Sequence, residues 1–183
     1  MNVFIKENCM PKIIENLREK LLEEAKRQVM GQGYPAMTIR SVASACGVGV
    51  GTVYNYFSSK DMLVASFLLE DWLECLTVIE RGCTIEAGAE AALRCIYDEL
   101  LRFMKKYESL FSDKDAAASS SGALHQRHGM LRAQIAKPLI PLCERQQKAD
   151  AGYLAEFIAE SLLAWAGSER SFEDISSVLL QLF

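Results

Sequence analysis

Apolar residues recur along this 183-residue chain at intervals of three and four, the spacing of one helical face, and no stretch alternates as a half-buried strand flanked by turns does. The pattern predicts an all-α fold of about nine helices. A first helix is expected from Lys12 to Met30, with Ile13, Ile14, Leu17, Leu21, Ala25 and Val29 on one face and Gly-Gln-Gly-Tyr-Pro at 31–35 to stop it. Two short helices follow, then longer ones from Lys60 to Glu80 and from Ile85 to Tyr107. The Asp-Lys-Asp-Ala-Ala-Ala-Ser-Ser-Ser-Gly run at 113–122 is expected to be a mobile loop. Ala123 to Lys148 is helical in composition but must kink or break at Pro138 and Pro141, which lack an amide donor and clash with the preceding turn. Tyr153 to Ala166 and Ser171 to Phe183 complete the chain.

Residues 38–63 read TIRSVASACGVGVGTVYNYFSSKDML and carry the most information. Ile39, Val42, Ala43 and Cys46 share one face of a short helix that Thr38 can cap, while Arg40 and Ser44 point elsewhere. Gly47 ends it, and Val50, Val53, Tyr54 and Phe57 repeat the spacing in a second short helix. Two short helices about a glycine-containing turn suggest a helix-turn-helix, in which the first helix props the second so that it can enter a DNA major groove. The exposed face of the second would be Gly51, Thr52, Asn55 and Tyr56. Val50 and the Thr52 methyl suit thymine methyls, and Asn55 or the Thr52 hydroxyl suit base edges. Thr38, Tyr54, Tyr56 and Lys60 suit phosphates. On periodicity alone, Tyr54, Tyr56 and Phe57 are equally well explained as core aromatics.

The formal net charge of −4 argues at first against a nucleic-acid partner. Cutting the chain after Lys60 changes the picture: residues 1–60 hold eight basic and five acidic side chains, whereas 61–183 hold 12 and 19. A basic head joined to an acidic body is compatible with phosphate binding at one end only. Half the residues are hydrophobic, which excludes wholesale disorder. The six cysteines, Cys9, Cys46, Cys75, Cys83, Cys95 and Cys143, show no metal-ligand spacing and are expected to be buried thiols. With no apolar run long enough for a signal peptide or a membrane span, a cytoplasmic location away from membranes is expected.

Other motifs are weaker. The glycines at 47–51 put Thr52 where a dinucleotide loop needs its third glycine, and no strand precedes them. His125 and His128 lie three apart without an acidic or cysteine cluster beside them. No acid–base or metal constellation suggests an enzyme, and no cofactor is expected.

The segment closely resembles the DNA-binding region of the TetR (tetracycline-repressor) family of transcriptional regulators. The matching residues are Thr38, Ile39, Val42 and Ala43, Cys-Gly-Val at 46–48, Gly51 to Tyr54, Tyr56, Phe57, and Ser-Lys-Asp-Met-Leu at 59–63, after a helix ending in Gly33-Tyr34. The likeness covers about the first third of the chain. It departs at Gly49, where the family often has a serine-like cap, and at Val50, where a lysine or another polar residue is common.

The resemblance implies a helix-turn-helix domain over residues 1–60 and an effector-binding and dimerisation domain over 61–183. Thr38 and Lys60 would hold phosphates, Tyr54 would contact the backbone, and Val50, Gly51, Thr52 and Asn55 would face the bases; Arg40 and Tyr56 are the other DNA-binding candidates. Trp72, Leu76, Ile79, Tyr97, Leu101 and Met104 would line a pocket for a small apolar or amphipathic effector, with Trp72 and Tyr97 supplying polar contacts. Leu154, Phe157, Ile158, Leu162, Trp165, Ile175, Val178, Leu179 and Leu182 exceed what one small domain can cover. The resemblance implies that these two last helices pair with their copies in a homodimer, whose two heads would read a palindromic duplex. The expected function is a repressor released by its effector through a swing of the Lys60–Glu80 helix. The alternative is a helical binding or scaffold protein that no longer recognises DNA.

Overall fold

The computed structural model describes residues 16–111, 121–145, 150–168 and 170–183, with the backbone alone for 121–127. These residues form α1 (Leu17–Gln32), α2 (Ile39–Ala45), α3 (Val50–Tyr54), α4 (Lys60–Gly82), α5 (Gly88–Lys106), α6 (Glu108–Phe111), α7 (Ser121–Ala136), α8 (Ile140–Glu144), α9 (Ala151–Ala166) and α10 (Phe172–Leu179), with no strand among them.

Local chemistry accounts for most boundaries. Asn16, in a left-handed conformation at φ 57°, precedes the first turn of α1, and Gly33 at φ 83° ends the helix two residues beyond Met30. Ile13 and Ile14 lie outside the described residues. Thr38 caps α2: its hydroxyl accepts from the Ser41 N–H at 3.0 Å while Ser41 Oγ accepts from the Thr38 N–H at 3.0 Å, a reciprocal capping box. Gly47, at φ 68°, makes the left-handed turn between α2 and α3 that a Cβ would oppose.

Lys137–Leu139 tightens into a 3-10 turn and α8 restarts at Ile140, so the helix does break at Pro138 and Pro141. Two corrections to the expected bounds follow. Ser121 and Gly122 belong to α7 rather than to the loop, of which 113–120 lie outside the described residues. The last helix closes as a 3-10 turn at Leu180–Leu182 instead of running on to Phe183.

Two cores organise the chain. Leu21, Ala25, Val42, Val53 and Phe57 form the first, at the helix-turn-helix end, together with Leu63, Val64 and Phe67 from the start of α4. Tyr107 and Leu110, from the far end of α5 and from α6, are buried in that same core. The second core joins Trp72, Leu76 and Ile79 of α4 to the inner faces of α5, α7, α9 and α10. Each fully buried large side chain adds roughly 1.5–3 kcal/mol of apolar transfer. α4 therefore anchors in both clusters, its first turns in the head and its later turns in the body.

Candidate nucleic-acid interface

Only one side of α3 is used inside the molecule. Val53 is fully buried and Phe57, just past the helix, is nearly so, whereas Val50 (37% exposed), Gly51, Tyr54 (52%), Asn55 and Tyr56 (48%) face outward and Thr52 is half-buried. The core-aromatic reading thus holds for Phe57 and fails for Tyr54 and Tyr56. The expected four-residue apolar stripe fails as well, because a helix of five residues has too few turns to bury more than one position per turn. Thr38 and Arg40 are exposed on the neighbouring helix.

Lys60 has a more specific setting. Its Nζ donates to the Tyr34 carbonyl at 2.6 Å and lies 3.9 Å from the centre of the Tyr34 ring. The Tyr34 hydroxyl in turn donates to Asp61. The turn after α1 is thereby fastened to the first residues of α4. Arg18 of α1 pairs with Glu70 of α4 at 2.7 Å, and with Tyr54, Asn55, Tyr56 and Met62 it lines an open groove of about 320 Å³ beside α3.

Composition and periodicity gave no hint of two residues that hold the head together. Gln28 is buried, donates to Glu24 at 2.7 Å and accepts from Ser41 Oγ at 2.6 Å, so it ties α1 to the cap of α2. Asp71 accepts from Lys26 at 2.5 Å, from the Tyr107 hydroxyl at 2.5 Å and from Lys106. Burial would raise its pKa, but the hydrogen bonds from Lys106, Lys26 and Tyr107 outweigh it and hold the carboxyl below its ordinary value.

The residues expected to line a pocket are packed instead. Trp72, Leu76, Ile79 and Tyr97 are buried in the body core, with Leu101 and Met104 against it. The polar atoms of the two aromatics are already engaged: the Trp72 indole donates to Gln134 at 2.8 Å and the Tyr97 hydroxyl to the Arg170 carbonyl at 2.6 Å. An open cavity of about 250 Å³ lies between α4 and α5, lined by other residues, with Cys75, Val78 and Phe103 forming its apolar part and Asp71, Glu74, Glu99, Arg102 and Lys106 its charged part.

The last two helices divide the residues expected at a dimer face. Ile158, Leu162, Ile175 and Leu179 are buried in the protomer, which leaves them no surface to offer a partner. Phe157 (60%) and Val178 (61%) are exposed and Leu154, Trp165 and Leu182 half-buried; Tyr153 joins them on the outer face of α9.

Cys75 and Cys143 are buried as expected, but Cys46, Cys83 and Cys95 are half-exposed. Burial nevertheless pushes all five described thiols up, Cys75 and Cys143 to about 11 and Cys83 to about 12, which disfavours thiolate chemistry; Cys9 lies outside the described residues. His128 bridges to Glu160 of α9 at 2.8 Å, and the His125 side chain lies outside the described residues. No described helix is long and apolar enough to cross a membrane.

An all-α chain with an outward-facing α3 propped by α1 and α2 defines a helix-turn-helix protein with a helical body. Residues 21–67 match the family model described as bacterial regulatory proteins, tetR family. It is 25% identical over 171 residues to the HTH-type transcriptional repressor KstR of Mycobacterium tuberculosis, a match spanning 88% of this chain and 76% of that protein. The same fold occurs in a TetR-family regulator from Rhodococcus sp. (TM-score 0.60, 17% identity, 90% of this chain and 94% of that one). It occurs again in Thermus thermophilus FadR in complex with lauroyl-CoA (TM-score 0.59, 22% identity, 90% and 92%).

Proposed function

We propose that this chain is a transcriptional repressor that binds a palindromic operator as a homodimer and is released by a small apolar or amphipathic effector. The observation that carries the reading is the outer face of α3. Val50, Gly51 and Tyr54 on the helix and Asn55 and Tyr56 just past it all face outward, and Tyr54 and Tyr56 are large aromatics about half exposed. Exposing such side chains to water is costly unless a partner covers them. In the operator complex Val50, Gly51, Thr52 and Asn55 meet base edges, while Thr38, Arg40, Tyr54, Tyr56 and Lys60 hold the flanking phosphates. Residues 1–60 act as the DNA-binding head and 61–183 as the effector-binding and dimerising body.

The outer faces of α9 and α10, with Tyr153, Phe157 and Val178, support the dimer, and the four buried residues of those helices act as its backing. The effector class is supported by the fold neighbours, one described with lauroyl-CoA and another as the ketosteroid transcriptional regulator KstR2 of Mycobacterium tuberculosis. The effector enters between α4 and α5, where the body is open. An apolar chain longer than the present cavity displaces Leu101 and Met104, which are packed at the core's edge.

The test is selection of bound fragments from genomic DNA, followed by titration of the enriched duplex at several salt concentrations. Affinity is expected to fall steeply with salt, and Lys60→Ala with Tyr54→Ala to abolish it while the dimer persists. An intact dimer that enriches no fragment overturns the reading in favour of a binding protein without DNA recognition.

A further inference from the structure

α4 changes partners partway along its length. Leu63, Val64 and Phe67 belong to the head core, and Trp72, Cys75, Leu76 and Ile79 to the body core. Asp71 falls at the changeover. Its side chain is 10% exposed and its two oxygens serve three donors on two other helices. Oδ1 accepts from Lys26 of α1; Oδ2 accepts from Lys106 at the end of α5 and from Tyr107 just beyond it.

Rings run alongside. Tyr107 stacks on Phe67 at 6.1 Å on the head side and meets Phe103 at 5.2 Å, and Phe103 meets Trp72 edge-on at 5.4 Å on the body side. Ring packing tolerates small rotations and slides, because dispersion and apolar burial have no strong directionality. A carboxylate held by three donors from α1 and the end of α5 does not, since each charge-assisted bond weakens quickly as its angle changes.

We infer that Asp71 is a positioning residue for DNA binding: it fixes the orientation of the helix-turn-helix on the body by holding Lys26, Lys106 and Tyr107 together. The inference rests on the reading of the head as the DNA-binding part. It adds where that head is held and how the body controls it. Asp71 and Lys106 also wall the cavity between α4 and α5, so a molecule seated there touches the joint itself. A group that draws Lys106 away removes one of the two bonds at Oδ2 and leaves the head held by Lys26 and the Tyr107 hydroxyl.

The experiment is measurement of amide residual dipolar couplings in the full-length protein, for wild type, Asp71→Asn and Tyr107→Phe. These couplings report orientation and are insensitive to a uniform loss of stability. Wild type is expected to fit one alignment tensor across α1–α5, α7 and α9. The variants are expected to need separate tensors, or a reduced order, for α1–α3 relative to α5 and α9. Operator affinity, where wild type binds a selected fragment, is expected to fall by about tenfold or more in both variants. A variant that is folded and fits the wild-type tensor overturns the inference, even if its stability has dropped. If Asp71→Asn does not fold, Tyr107→Phe and Lys106→Met, each removing one bond at Oδ2, give the same decision. Separate tensors in the variants of a protein that binds no DNA at all leave the joint standing and sink the functional reading instead.

Discussion

At Thr38 a single hydroxyl does two jobs that can be separated. It closes the capping box of α2, and it is exposed on the side where the operator phosphates are proposed to lie. Thr38→Ala should lower stability by about 1 kcal/mol in urea unfolding, the ordinary cost of losing such a cap, while Thr38→Asp should keep the cap and still weaken DNA binding by charge repulsion. Asp71 gives a pH signature. Its folded-state pKa is depressed, so the stability it contributes is complete above the unfolded value of about 4 and fades as the pH falls through the lower folded value. The stability gap between wild type and Asp71→Asn, measured by urea unfolding, should accordingly be widest near neutral pH and close below about pH 4. Neither Asp71 nor Gln28 was legible in the sequence. Both look like ordinary polar positions on a helix, and their importance comes from partners 45 and 13 residues away.

Helices were easier to read than faces. The capping threonine, the glycine after α2 and the two prolines each impose a local backbone preference, so α2, its turn and the break before α8 followed from nearby residues alone. Which apolar residue turns inward depends on what surrounds the helix, and here periodicity misled twice. Tyr54 shares the spacing of Val53 and Phe57 yet is exposed, because α3 makes only one and a half turns over the core. α9 is apolar on two sides, and its sequence does not say that Ile158 and Leu162 go to the protomer while Phe157 and Tyr153 go outward. The family's likeness named α3 as the reading helix but departed from it at Val50. Because Val50 is exposed and uncharged, Val50→Lys should fold normally and add one phosphate contact. It should steepen the salt dependence of DNA binding by about one unit of slope in a log–log titration. An unchanged slope would mean that this end of α3 does not approach the duplex.

On the scale of the whole molecule, positive and negative charge are divided between head and body. The first 60 residues carry a net +3 and the remainder −7, so an approaching duplex meets attraction at the head and repulsion at the body. The exposed aromatics of α9 lie on that acidic body. Phe157→Glu should leave the fold intact, since the side chain is already solvated in the protomer, and convert a dimer to a monomer in sedimentation equilibrium. Ile158→Glu, one residue on, should unfold the chain by burying an unpaired charge. The aromatic insert at Tyr107 carries a lesson for recombining such proteins. A chimera that takes residues up to Lys60 from this chain and everything after from another regulator would inherit a head missing Leu63, Phe67, Tyr107 and Leu110 from its interior. The reading helix is consequently not a portable cassette: exchange of specificity between bodies requires a crossover that carries the 107–110 segment along, or a host that supplies rings of the same shape.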